Sequence, residues 1–224
     1  MSGTTAESRG FEIYPGVLDG AECSSLLAAL GKVSRTRAGS RHLLSCPAIS
    51  ALASDPRLMR IATAFLGVEP FPFRATLFDK SAEANWLVVW HQDTALPFRR
   101  RTEEAGWGPW SVKAGVLYAH APAWALARVV ALRVHLDSSE RSNGPLRVIP
   151  GSHALGVLTD DQLGELAKSR PSHECLVPAG GVLAMRPLLV HSSSKSTSPS
   201  PRRVIHIEYA DAESLAPGRE LAVA

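Results

Sequence analysis

Cysteine is scarce in this chain: three in 224 residues, Cys23, Cys46 and Cys175, and none stands in a C-x-x-C pair. Odd in number and far apart, they argue against a disulfide framework and read as reduced thiols of a cytosolic protein. Long hydrophobic runs are missing as well. No apolar stretch approaches the ~18 residues that cross a bilayer, and the opening residues lack the apolar segment of a signal peptide. The expectation is a soluble, cytoplasmic protein without membrane contact. A strong excess of one charge is also absent. The net charge is +3, and basic residues scatter apart from Arg99-Arg100-Arg101 and Arg202-Arg203. Without a basic helix or an aromatic-studded basic stripe, nucleic acid is a poor partner. Internal repeats and low-complexity tracts are absent too, although residues 192–200 form a serine-rich loop.

What is present suffices for a full core. At 224 residues and 45% hydrophobic, the chain can fold as one domain, with or without insertions. Phe11 to Tyr14 alternates like a short strand. Asp19 stands three residues before Glu22, a capping box for a helix reaching Gly31. Residues 34–46, with Arg35, Arg37 and Arg41, read as a solvated loop rather than a binding wall. Ala48 to Leu52 and Asp55 to Leu66 are helical, with Pro56 early in the second and Gly67 past its end. The texture then turns to strands at 71–78, 86–90, 129–136, 146–149, 182–185, 188–191 and 204–209, with one brief helix at Asp160 to Lys168. Between them, residues 94–128 are too long for a hairpin connection and suggest a lid. Helices first and short antiparallel strands afterwards predict a mainly β fold with flanking helices, a double-sheet jelly roll of cupin-like form. The expected division is a helical part at about 17–68, a jelly-roll core at about 70–210 and a lid insertion at about 94–128.

In an extended segment, His91 and Asp93 project to the same side, so an imidazole and a carboxylate converge. A distal histidine would complete a two-His-one-carboxylate triad with open positions on Fe(II). The spacing alone is unspecific. Chance gives roughly 0.75 of a His-x-acid pattern in such a chain, and three occur: His91/Asp93, His135/Asp137 and His206/Glu208. The distal candidate is His191, at the end of the apolar run Leu188-Leu189-Val190. Arg202 follows eleven residues later, with the fork geometry that grips a carboxylate.

His91-Gln92-Asp93, Asn143-Gly144-Pro145-Leu146, Ile149-Pro150-Gly151-Ser152-His153, and His191-x-Ser193 with Arg202 stand together in one order and spacing. In this the sequence resembles the phytanoyl-CoA dioxygenase family of Fe(II)/2-oxoglutarate oxygenases, over about residues 70–210. The resemblance implies a double-stranded β-helix and selects His91, Asp93 and His191 as ligands of Fe(II). It also implies that Arg202 grips the distal carboxylate of 2-oxoglutarate, with Ser193 as helper. Arg203 would face away, and Arg133 looks towards the cofactor; Lys80 and Trp86 are further candidates around the site. The implied activity uses O2 and 2-oxoglutarate to hydroxylate or desaturate a small-molecule substrate, releasing succinate and CO2. Asp93 favours these outcomes, since related halogenases carry a small residue there.

Blander readings stand beside these. His153 reads as a turn residue, His42 and His120 as surface, and His135 as either a satisfied interior histidine or a substrate contact. Trp107 and Trp110 either cover a substrate or anchor the lid; Arg99 to Arg101 read as a solvated charge run. Two rival classes are a non-catalytic jelly-roll binding module, which should lack a ligand or Arg202, and a Zn(II) hydrolase using the same ligands.

Overall fold

The structure is a computed structural model and describes residues 5–31, 33, 39–81, 84–102 and 104–224. In chain order, its first half holds α1 (Thr5–Arg9), β1 (Phe11–Tyr14), α2 (Gly20–Leu30), β2 (Gly39–Ser40), α3 (Pro47–Ala53), α4 (Pro56–Leu66), β3 (Phe71–Lys80) and β4 (Val88–His91). The segment that follows holds β5 (Ala95–Phe98), β6 (Trp110–Lys113), β7 (Val116–His120) and α5 (Ala123–Leu126). The rest is β8 (Val129–His135), β9 (Leu146–Val148), α6 (Asp160–Ser169), β10 (His173–Cys175), β11 (Val182–Met185), β12 (His191–Ser193) and β13 (Arg202–Ala210).

Helix starts follow their local chemistry. Asp19 accepts from the Glu22 N–H at 2.8 Å while Glu22 accepts from the Asp19 N–H at 2.8 Å, a reciprocal cap on α2. Asp55 caps α4, and Gly67, at φ 76°, ends it in a left-handed turn that a side chain would strain. None of the described helices is long and apolar enough to cross a membrane.

The main sheet runs in the order β1-β11-β8-β13-β3-β2, antiparallel throughout. Side chains alternate across it. Ala75, Leu77, Val130, Leu132, Val134, Ile205, Ile207 and Tyr209 pack under Leu26, Leu30, Leu58 and Ile61 of the helices. Residues between them in sequence face a second sheet, ordered β10-β9-β12-β4. At one end this interior is apolar, with Ala131, Leu183 and Met185 against Leu146, Val148 and Cys175. At the other end it is polar, and there Arg74, Lys80, Arg133, His135, Arg202, His206 and Glu208 are gathered. Two antiparallel sheets face to face form the expected double-stranded β-helix.

Three expectations need correction. Leu188 to Val190 is not a strand; it is a buried turn, and β12 starts at His191. The strand expected at 86–90 begins at Val88 and includes His91. Residues 94–128 are not loop alone: they build a third sheet, β5-β7-β6. Its core joins Leu96, Phe98, Trp107 and Ala119 to Phe73 of β3 and to Leu215 and Leu221. Phe98 bridges Leu221, the Ala222 N–H donates to Pro97 O at 3.1 Å, and the Ala224 N–H donates to Phe73 O at 2.8 Å.

Candidate active site

β4 ends on His91 and β12 opens on His191, and the antiparallel register sets the two directly opposite. Their ring centroids lie 4.1 Å apart with the planes tilted by 50°. Each Nδ1 sits 2.8 Å from the carbonyl two residues back, Val89 O for His91 and Leu189 O for His191. A carbonyl only accepts, so each Nδ1 carries a proton, and in the neutral ring Nε2 then keeps its lone pair. That tautomer is the one which metal-ligating histidines adopt through a backbone partner.

Asp93 follows past the strand end, fixed by its N–H donating to Pro187 O at 2.9 Å. Its Oδ1 lies 3.8 Å from His91 Nε2 and its Oδ2 3.6 Å from His191 Nε2. All three ligand atoms fall within 4.8 Å of one another, and this is the one such cluster among the described residues. Burial would raise the Asp93 carboxyl, but His191, His206, His91 and Arg74 outweigh it and hold the group below the ordinary carboxylate range. Burial, partly offset by Asp93, presses His191 down to about 4, so it is neutral near pH 7. A carboxylate at Asp93 and a neutral imidazole at His191 are the protonation states that a metal needs. Between the ligands Gln92 turns the other way, donating to Gly156 O and Leu188 O and accepting from the Leu158 N–H. It ties the metal-pair segment to the turn that precedes His191, a role its spacing did not announce.

The second half of the site is cationic. Arg202 on β13 pairs in register with Lys80 on β3, and both reach Ser193 of β12. Lys80 Nζ donates to Ser193 Oγ at 2.7 Å and Ser194 O at 2.6 Å; Arg202 Nη2 donates to Ser193 Oγ at 3.2 Å. The Asn143-Gly144 turn closes over them, accepting from Arg202 Nε at Asn143 O and from Ser193 Oγ at Gly144 O. A Cβ on Gly144 would meet Ser194 O at 2.3 Å, so glycine is required there. Arg133, opposite His206, sets Nη1 3.2 Å from His206 Nδ1. Lys80, Arg133 and Arg202 are thus all buried, and no carboxylate pairs with any of them among the described residues. Arg202 Nη1 and Arg133 Nε have no hydrogen-bond partner among the described residues. Burial, reinforced by mutual repulsion, presses Arg202 down to about 9 and Lys80 to about 8. Unpaired buried charges are costly, so this chamber is built for an anion.

Other expectations sort by face. Arg203 points away and forms a two-pronged pair with Asp137, both contacts at 2.7 Å. This uses up the acid of the second His-x-acid pattern. His135 is interior, neither ring nitrogen has a hydrogen-bond partner among the described residues, and burial beside Arg133 and Arg202 keeps it neutral. His206 lines the cavity described below, and Glu208 is paired with Arg74. Trp86 lies 5.5 Å from Lys80 Nζ. His120 is exposed, as expected, but His42 is half-buried and its Nε2 meets the Tyr118 hydroxyl at 3.0 Å. His153 sits in a turn, 3.2 Å from Glu7 O. Trp107 packs on Phe98, Trp124 and Arg219, so it anchors the third sheet rather than covering the site. Arg99 and Arg100 pair with Glu213 and Glu220 on the surface. Arg35 and Arg37 lie outside the described residues. Arg41, however, reaches the site.

A cavity of about 270 Å³ opens above Asp93 and His206. Arg74, Thr76 and Phe78 form one wall, Thr94 and Ala95 another, and Lys113, Tyr118 and His120 of the third sheet the outer side, with Arg41 among the lining residues. Sequence reading missed Arg74, Lys113 and Tyr118 because nothing local marks them.

Comparison with known proteins agrees with this geometry. The chain is 26% identical over 180 residues to L-proline trans-4-hydroxylase of Streptomyces griseoviridis, covering 69% of this chain and 59% of that one. It is 28% identical over 183 residues to ectoine dioxygenase of Halomonas elongata, covering 72% and 48%. The chain therefore spans only about half to three-fifths of the length of these relatives. HygX from Streptomyces hygroscopicus, solved with nickel and 2-oxoglutarate bound, superimposes with a TM-score of 0.67 at 18% identity, covering 98% of this chain and 93% of that one. The phytanoyl-CoA dioxygenase (PhyH) profile matches residues 6–204, nearly the whole chain, and it is to this family that the chain belongs.

Proposed function

We propose that the protein is an Fe(II)- and 2-oxoglutarate-dependent dioxygenase that hydroxylates or desaturates a small molecule. The observation that carries this reading is the juxtaposition of two unlike halves. A set of two imidazoles and a carboxylate stands beside a buried cluster of three cations that has no paired acid among the described residues. Two histidines and a carboxylate with open positions suit non-haem Fe(II). An acid-free cationic chamber suits a dicarboxylate.

His91, Asp93 and His191 would hold the metal, and together with 2-oxoglutarate and O2 it would supply the oxidising chemistry that ends in succinate and CO2. The chain's own residues do the rest. Arg202 and Lys80 would grip the distal carboxylate, with Ser193 fixing both heads. Arg133 adds charge from β8, and His206 holds Arg133 in place. Phe78 and the third sheet wall the cavity from water. Both curated relatives are named for compact substrates, proline and ectoine, which agrees with a cavity of this size. In this reading the sheet of 94–128 is the outer wall of one catalytic domain.

The Zn(II) hydrolase gains nothing from three buried cations, and the binding module has no reason to keep all three ligands together with Nδ1 of both histidines tied to a backbone carbonyl. The test is succinate formation from 2-oxoglutarate with Fe(II) and air, in the wild type and in His191→Ala. Succinate in the wild type alone supports the proposal; none in either overturns it.

A further inference from the structure

The cavity wall carries two charges that the oxygenase reading does not use. Arg74 is satisfied, because it pairs with Glu208 and donates to Ala95 O at 3.1 Å. Arg41, which is exposed, and Lys113, which is half-buried, have no carboxylate partner among the described residues. They come from opposite sides. Arg41 follows β2, which pairs so tightly with β3 that a Cβ on Gly39 would fall 1.9 Å from Leu77 O. Lys113 ends β6, with its ammonium 5.1 Å from the centre of the Tyr118 ring. Tyr118 is buried between them, its hydroxyl held at 3.0 Å by His42, the residue after Arg41. Among the described residues the one acid on the cavity wall is Asp93, assigned above to the metal.

Resting on the oxygenase reading, we propose that Arg41 and Lys113 form a substrate-recognition pair that holds the carboxylate of a compact organic acid over the Tyr118 ring. Two cations without a carboxylate partner line one half-enclosed space, and a carboxylate placed there takes charge-assisted hydrogen bonds from both. The Lys113 ammonium is already pressed down by burial and by repulsion from Arg74 and Arg41, and a bound anion relieves that. Size sets the rest. At about 270 Å³ the cavity falls below the roughly 300–1,000 Å³ of sites for drug-sized ligands. It suits an acid of amino-acid or single-ring dimensions, anchored at the outer end with its carbon skeleton directed at Asp93.

The test compares acids with amides that lack the carboxylate, benzoate with neutral benzamide and zwitterionic L-proline with L-prolinamide at a pH above its amine's titration, by ligand-observed NMR and calorimetry on the full chain under anaerobic conditions. It is run with and without Fe(II) and 2-oxoglutarate. The acid of at least one pair should bind more tightly than its amide. Arg41→Gln and Lys113→Met should each weaken it on the order of tenfold while leaving 2-oxoglutarate affinity unchanged, which also shows the variants folded. Equal binding of acids and amides overturns the proposal. So does an acid preference that survives both substitutions but disappears in Arg202→Ala, since the acid would then occupy the dicarboxylate chamber. Failure of the oxygenase reading looks different: the wild type would not bind 2-oxoglutarate, and the acid–amide comparison still decides this inference in its absence.

Discussion

Replacing Arg202 by alanine isolates the dicarboxylate grip, because its neighbour Arg203 is an internal control. The Arg202 guanidinium is buried, spends Nη2 on Ser193 and Nε on Asn143 O, and has no partner for Nη1 among the described residues. That spare edge is what a carboxylate would take. Removing one partner of a buried, hydrogen-bonded charge pair costs about 2–5 kcal/mol, so the Kd for 2-oxoglutarate should rise roughly thirtyfold to a few thousandfold. Arg203 lies on the opposite face of the same strand, 26% exposed and committed to Asp137. Arg203→Ala should therefore leave that Kd unchanged and remove at most about 1 kcal/mol of stability. Calorimetric titration of 2-oxoglutarate into anaerobic, metal-loaded protein reads the first quantity, and urea denaturation reads the second. If Arg203→Ala loses 2-oxoglutarate and Arg202→Ala retains it, the facing of β13 deduced here is wrong.

The other predictions follow from single contacts. His191→Ala should abolish Fe(II) binding in an anaerobic titration, and equal affinity in the two proteins would remove His191 from the metal site. Burial and two arginines press Lys80 down to about 8 from 10.5, and a bound dianion would raise it again. Binding of 2-oxoglutarate should then take up a proton above pH 8 and weaken as the pH climbs towards 10.5; Lys80→Met should flatten that dependence. Arg219 is buried against Trp107, 4.8 Å from its ring centre, and pairs with Glu104 at 3.0 Å. Arg219→Ala should accelerate tryptic cleavage after Arg99, Arg100 and Arg101, and an unchanged rate would show that the third sheet is held by other means.

What the sequence disclosed was what short range encodes. The Asp19–Glu22 box, Gly67 and the shared side of His91 and Asp93 each depend on residues a few positions apart, and all appear as expected. Aromatic and β-branched texture revealed β3, β8 and β13. The third sheet was hidden by its own edge. Pro97 lies in β5, an outer strand of β5-β7-β6, a setting where a strand tolerates proline, and Gly106 to Pro109 interrupts the texture. Leu188 to Val190 misled because a short apolar run reads alike in a buried strand and a buried turn. Arg74, Arg41, Lys113 and Tyr118 converge through pairings that no local pattern announces, so their part in the cavity needed the fold.

The pairing of His91 with His191 has a thermodynamic consequence. A metal held by these two rings would act as a removable cross-link between strands one hundred residues apart in sequence. Such a staple closes a long loop in the native state only. By mass action it should stabilise folding by about 2.7 kcal/mol when the free metal stands at a hundred times its Kd. Melting temperature would then follow metal concentration before any substrate is known, and chelation would loosen first the sheet edge where β4 meets β12.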